Sequence, residues 1–357
     1  MFNLSFYKGK RVLITGHTGF KGSWLSKMLL MAGADVCGYA LEPPTTPSLF
    51  NLIELDQQMK SIIGDIRDYE KLNQIFDDFQ PEIVLHLAAQ PIVRTSYVEP
   101  RMTYEINVMG TVNVCECVRK HSSVRSFLNV TTDKVYKNKE WCYGYRENEE
   151  LDGYDPYSNS KSCSELVTHS YNNSFFKDSG VATSTARAGN VIGGGDFSKD
   201  RIIPDCVRAV ESGDTLIIRN PVSIRPYQHV LEPIFAYLMI AAEQCRDDTK
   251  AGFYNIGPEL SDCISTGELV KFFGKCYGDS FKFEIRKDSN AVHEANFLKL
   301  DTSLVESTFN WHPIWKVEEA VEKTVEWTKD WLCDGSSENM NRVLERQLKD
   351  FIRKTIL

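Results

Sequence analysis

Val12, Leu13 and Ile14 are consecutive apolar residues that run directly into a glycine-rich turn, the pattern of a parallel strand buried on both faces. Leu25, Met28, Leu29 and Ala32 then recur at helical spacing, and Gly33 stands where a helix C-terminus is capped. The chain therefore opens with strand, glycine turn and helix. Further buried strands are predicted around residues 36–40, 61–63, 83–87 and 127–131, with helical stretches between them. Alternation of this kind predicts an α/β fold with a doubly wound parallel sheet.

After about Ala186 the alternation gives way to loops rich in Gly, Asp and Pro, such as Gly193-Gly194-Gly195-Asp196 and Asn220-Pro221. A smaller C-terminal α/β substrate lobe is predicted there. Residues 230–245 are again apolar at helical spacing, which suggests a return to the first lobe. The expected division is 1–188 for a dinucleotide lobe, rejoined at about 229–258, with 189–228 and 259–357 forming the second lobe. Val317, Val321 and Val325, followed by Trp327 and Trp331, outline a last amphipathic helix.

Composition narrows the class. The 357 residues are 42% hydrophobic and 25% charged, ordinary for a globular protein and long enough for two lobes. A net charge of -8, from 41 Lys plus Arg against 49 Asp plus Glu, argues against nucleic acid or an anionic membrane as partner. Lys8, Gly9, Lys10 and Arg11 lead into an apolar stretch without the pattern of a signal peptide, and no apolar run reaches the roughly 18 residues of a membrane span. A cytoplasmic location is expected. The ten cysteines include no CxxC pair and read as free thiols, and no histidine falls in a zinc pattern, so no metal site is assigned.

Gly16, Gly19 and Gly22 are spaced GxxGxxG between the first strand and helix, which lets backbone approach a pyrophosphate at the helix N-terminus. This makes the sheet Rossmann-type and the ligand a dinucleotide. The segment from Ala32 to Met59 holds no Lys or Arg to pair with an added phosphate, so NAD is favoured over NADP. The acid expected at the second strand's end is replaced by Ala40 and Leu41; the segment offers Glu42 and Asp56. Asp65 could face the adenine or serve as a turn residue.

Tyr157 and Lys161 lie four positions apart, so on a helix they share a face and can address one substrate hydroxyl. A lysine ammonium beside the phenol is expected to lower its pKa, as is the oxidised nicotinamide. Three segments carry a resemblance: Thr15-Gly16-His17-Thr18-Gly19-Phe20-Lys21-Gly22, His86-Leu87-Ala88-Ala89 and Tyr157-Ser158-Asn159-Ser160-Lys161. Through them the chain resembles the extended short-chain dehydrogenase/reductases along nearly its whole length. The likeness continues through Ile202-Ile203-Pro204, Ile224-Arg225-Pro226-Tyr227 and Trp311-His312-Pro313, as in enzymes acting on nucleotide-activated sugars. It implies NAD held by Gly16, Thr18, Gly19, Phe20, Lys21, Gly22, Asp65, Ile66, Leu87, Ala88, Ala89, Tyr157 and Lys161.

Within that group, GHTGFKGSWL from Gly16, GYALEPPTTPSLF from Gly38, AGNVIGGGD from Ala188 and RPYQHVLEP from Arg225 resemble the cytidine-linked 4,6-dehydratases. Thr132-Asp133-Lys134 is similar to that branch too, whereas simple epimerases have only a small hydroxyl residue at this strand end. The likeness implies dehydration of a cytidine-linked glucose in deoxysugar biosynthesis. In chemical terms Tyr157, aided by Thr132, would take the proton of the C4 hydroxyl during oxidation, Lys134 the C5 hydrogen, and Asp133 would protonate the departing C6 hydroxyl. Adjacent Asp and Lys favour each other's charged forms, so these roles require a closed site. Asn190, Arg201 and Arg225 match nucleotide and diphosphate contacts of the family, and Gln90 a hexose contact. A homodimer is expected by analogy, through helices at 107–118 and 157–167. Alternatives are a nucleotide-sugar 4-epimerase, a 4,6-dehydratase for another nucleotide sugar, and a catalytically silent NAD sensor.

Overall fold

The computed structural model describes residues 2–286 and 298–355. Six strands come before residue 189: β1 (Arg11–Thr15), β2 (Asp35–Ala40), β3 (Lys60–Ile63), β4 (Ile83–His86), β5 (Ser126–Thr132) and β6 (Ala182–Ala188). All are parallel, in the order β6-β5-β4-β1-β2-β3, with the order reversing beside β1. That reversal opens a crevice at the strands' carboxyl ends. The five predicted strands match β1 to β5 to within a residue at either end; β4 and β5 are buried throughout, whereas β3, expected to be buried, is the sheet's edge strand with Lys60 and Ile63 exposed.

The longer helices are α1 (Phe20–Met31), α2 (Tyr69–Phe79), α3 (Gly110–Lys120), α4 (Pro156–Tyr171), α5 (Ile202–Ser212), α6 (Leu231–Arg246), α7 (Thr266–Tyr277), α8 (Val317–Cys333) and α9 (Ser337–Thr355). On one face of the sheet Leu13, Val84 and Phe127 pack on Leu72, Phe76, Val114 and Val118 of α2 and α3. On the other, Val12, Ile14 and Leu128 join Leu25, Met28 and Leu29 of α1 and the apolar side of α6. Each such fully buried side chain contributes about 1.5–3 kcal/mol of transfer free energy. Gly33 ends α1 at φ +80°, a conformation that disfavours a Cβ.

Beyond β6 the strands shorten. β7 (Val191–Ile192) pairs with β10 (Gln228–His229), β8 (Thr215–Ile218) with β13 (Lys282–Ile285), and β9 (Ile224–Arg225) with β12 (Ile264–Ser265). β11 (Phe253–Ile256) returns to the main sheet beside β6, and α6 packs on β5 and β6. Gly194 joins the two regions: its carbonyl accepts from Trp24 Nε1 at 3.0 Å, and a Cβ there would lie 2.0 Å from the Trp327 ring. Residues 287–297 of the expected second lobe lie outside the described residues.

One expectation is corrected. The helix outlined by Val317 to Trp331 is α8, but it is not the last; α9 follows and sends Met340, Val343, Leu344, Leu348 and Phe351 into the core. Those residues recur at helical spacing, within a segment otherwise so polar that its apolar stripe stands out only against a core.

Candidate active site

The glycine turn is a cradle with no room for side chains. Gly16 has φ +84°, and a Cβ on it would approach the Ala88 nitrogen to 2.8 Å. A Cβ on Gly22 would come within 2.1 Å of the Gly16 oxygen. Gly19 caps α1, so free backbone N–H groups of the first turn face the crevice. Thr18 Oγ1 donates to the Leu41 carbonyl at 2.8 Å, tying the turn to the end of β2. These features suit a dinucleotide: the closely approached backbone meets the pyrophosphate and the helix end offers donors.

Gly16, Thr18, Gly19, Phe20, Lys21 and Gly22 line a cleft of about 1310 Å³, as do Asp65, Ile66, Leu87, Ala88 and Ala89. Asp65 reaches it with its carboxylate already paired to Arg67, at 2.6 Å, which holds the carboxyl below its ordinary pKa. Glu42 also lines the cleft, whereas Asp56 does not. Among the described residues no cluster of three or more His, Cys, Asp or Glu side chains could hold a metal ion.

The same cleft contains Thr132, Lys134, Tyr157 and Lys161. β5 ends at Thr132 and passes into a tight turn at Asp133–Val135, while α4 starts beside it, with Asp155 accepting from the Ser158 N–H and Pro156 in the first turn. Thr132 Oγ1 donates to Asp133 Oδ1 at 2.9 Å, and Lys134 Nζ reaches the same oxygen at 3.0 Å and Asn190 Oδ1 at 3.4 Å. Asp133 is 0% exposed and does not line the cleft; its Oδ2 has no hydrogen-bond partner among the described residues. Gly189, a cleft residue, sits over that oxygen, and a Cβ there would be 3.3 Å from it.

Lys161 Nζ donates to the Val130 carbonyl at 3.1 Å. Burial lowers its pKa to about 8, against the opposing charge of Glu165. The Tyr157 phenol is pushed up to about 12, by burial first, with the neighbouring Thr132 hydroxyl working against it. Without NAD the net shift of the phenol is upward and not the expected downward one, because desolvation outweighs the favourable charges around it. Lys21, expected on the cofactor, reaches Tyr237 Oη at 3.4 Å; burial and then the charges of Arg201 and Lys161 lower its amine to about 7.

Asn190, Arg201 and Arg225 all line the cleft, Arg201 also pairing with Asp196 at 3.1 Å. Gln90 does not. Its amide donates to Thr103 Oγ1 at 2.9 Å and its oxygen accepts from the Ile92 N–H at 2.6 Å, so this side chain braces the segment after β4. Sequence reading passed over Arg94, Arg208 and Arg219, which bring further cations to the cleft wall. It also passed over Glu165, although its i+4 spacing from Lys161 was a visible signal.

A family model described as GDP-mannose 4,6 dehydratase matches residues 13–324. The CDP-glucose 4,6-dehydratase of Salmonella typhimurium (strain LT2) is 49% identical over 327 residues, covering 90% of this chain and 91% of that protein. The CDP-paratose 2-epimerase of Salmonella typhi is 27% identical over 339 residues, covering 87% and 97%. Among solved structures, UDP-glucose 4-epimerase of Thermus thermophilus in complex with NAD has a TM-score of 0.77 at 22% identity, over 89% of this chain and 99% of that one. The dTDP-glucose 4,6-dehydratase of Bacillus anthracis str. Ames, in complex with NAD, has a TM-score of 0.74 at 21% identity, over 90% and 97%. Those structures share the fold.

Proposed function

This chain belongs to the GDP-mannose 4,6-dehydratase family, and from that premise we propose that it dehydrates CDP-D-glucose to CDP-4-keto-6-deoxy-D-glucose with NAD, in deoxysugar biosynthesis. The observation that carries this reading is the meeting of Thr132 and Lys134, at the end of β5, with Tyr157 and Lys161 in one cleft with the glycine turn. The cytidine part is supported by the relative at 49% identity.

Gly16, Gly19 and Gly22 would hold NAD, which would supply reversible hydride acceptance and return when bound. The chain's own groups move the protons. Tyr157 accepts the C4 hydroxyl proton, with Thr132 orienting that hydroxyl and Lys161 contributing positive charge on the phenolate's side. The resulting ketone acidifies the hydrogen on C5, which Lys134 removes. Asp133 protonates the C6 hydroxyl so that it leaves as water; its Oδ2 is buried and has no hydrogen-bond partner among the described residues. The net loss is one water. Asn190, Arg201 and Arg225 hold the diphosphate side, since their donors suit an anionic ligand.

Residues 1–188 with 229–258 form the cofactor lobe in this reading, and the remainder the sugar lobe. The working form is a homodimer, supported by Met109 and Leu166, both 53% exposed on the two helical segments expected to pair. Sedimentation at micromolar concentration tests that assignment, with a monomer contradicting it.

Incubation with NAD and CDP-, dTDP-, UDP- or GDP-linked hexoses, followed by product analysis, tests the reaction. A 4-keto-6-deoxy product from CDP-glucose is expected. No such product from any of the four contradicts the dehydratase reading, and a C4 epimer in its place establishes the epimerase.

A further inference from the structure

Tyr157, Lys161 and Glu165 follow one another at i, i+4, i+8 on α4, so all three point along one face of the helix that bears the site. We infer that Glu165 is a positioning residue of this active site: its buried carboxylate is the counter-charge that holds Lys161 as an ammonium one helical turn away. The inference rests on the reading of Lys161 as the partner of Tyr157.

Glu165 is 0% exposed, and a carboxylate so deep in the protein must be compensated on both oxygens. Oε2 accepts from Arg187 Nη2 at 2.9 Å and from Thr185 Oγ1 at 2.6 Å, both on β6. Oε1 accepts from Thr131 Oγ1 on β5. His169 Nε2, a turn further along α4, lies 3.5 Å from Oε2. Burial alone would raise this carboxyl; the Arg187 charge first, then its hydrogen bonds, hold it at about 2, so it is an anion across the working pH range. Lys161 grips Val130 and Glu165 grips Thr131, consecutive residues of the strand that next presents Thr132 to the cleft.

The buried ammonium has few other anions to turn to. Lys21 from α1 and His86 from β4 face it; the Lys21 ammonium opposes it, while burial, with the Lys161 charge, lowers His86 to about 3 and keeps it neutral. Asp133 is engaged through Oδ1 by Thr132 and Lys134. On the far side, Glu165 is faced by Arg187, by His169 and by Tyr136, whose phenol donates to Asn255 Oδ1 and accepts from Arg187. Glu165 is thus the anion that opposes the desolvation of Lys161. Neutralising it lowers the pKa of Lys161, so the amine loses its charge at a lower pH and Tyr157 loses support for its phenolate there.

The test is competitive acetylation of the protein without cofactor, with peptide mass spectrometry reading the titration of Lys161. E165Q is expected to move that titration to lower pH by about one unit, within the range for loss of a nearby opposite charge. The alkaline limb of the oxidation step with CDP-glucose and NAD moves in the same direction by the same amount. E165D, which keeps the charge, titrates as the wild type does. Because E165Q leaves Arg187 buried without its carboxylate, the double variant E165Q/R187M, which removes both charges, is run beside it and carries the same expectation if the single variant does not fold. A Lys161 titration unchanged from wild type in either neutral variant overturns the inference, since a purely structural role lowers rates at every pH without moving the titration. K161M distinguishes the role of Lys161 from that of Glu165. If it oxidises substrate at the wild-type rate, the reading of Lys161 fails, while the acetylation result still decides what Glu165 does to it.

Discussion

Tyr157, the base in the proposed oxidation, rests protonated: with its phenol pushed up to about 12 by burial, it would carry its proton at neutral pH until positive charge gathers around it. Replacing it with Phe removes the acceptor without disturbing the buried ring, and we expect Y157F to lose oxidation by roughly 10²–10⁴-fold, measured as single-turnover appearance of reduced nicotinamide. Lys134 acts after oxidation in this account, so K134A is expected to keep the first hydride transfer while formation of 4-keto-6-deoxy product falls by a similar factor. Normal elimination by K134A would assign the C5 proton to another group. The i+4 pairing of Tyr157 with Lys161 and the Asp133-Lys134 pair at a strand end were legible because both are local patterns. The direction of Gln90 was not, since it is decided by Thr103 and Ile92. Nor was the depth of Asp133, which depends on how the turn after β5 folds under Gly189.

At the scale of elements, the strand, turn and helix of the dinucleotide cradle work only because side chains are missing where backbone meets backbone. G22A would place a Cβ at 2.1 Å from the Gly16 oxygen, so we expect loss of cofactor binding by equilibrium dialysis together with a lowered melting temperature. Unchanged binding would mean that the turn relaxes and that close packing is not required. β1 and β4 were readable from continuous apolar runs, since a parallel strand covered on both faces has no polar alternation to confuse it. α9 was not, because its stripe lies in a strongly polar segment and acquires meaning only where Phe351 meets Phe235 and Trp315. F351A should therefore destabilise the fold by about 3–5 kcal/mol in urea denaturation, as for other buried Phe truncations. A value under about 1 kcal/mol would place α9 outside the cooperative core.

For the whole molecule, stability and chemistry meet different demands on buried charge. Glu232 is 0% exposed, and burial pushes its carboxyl up to about 8 although Oε1 accepts from the Trp315 and Ile314 N–H groups. The folded state holds this proton where the unfolded chain has released it, so stability falls as pH rises from the ordinary glutamate range towards 8. E232Q keeps an acceptor for both N–H groups and has no proton to lose, so its melting temperature should decline less than that of wild type between pH 5 and pH 9. Parallel curves would exclude Glu232 as the source. The catalytic cleft uses the same physics for reaction, gathering Lys21, Lys134, Lys161 and Arg201 in a chain whose net charge is -8. The central claim is that one hydride leaves C4, is stored and returns to C6 of the same sugar, and CDP-[4-²H]glucose tests it most directly. The expected product is a 4-keto-6-deoxy sugar with deuterium at C6 and one solvent hydrogen at C5. Deuterium retained at C4 of an epimerised hexose, or a deoxysugar without deuterium at C6, would contradict it.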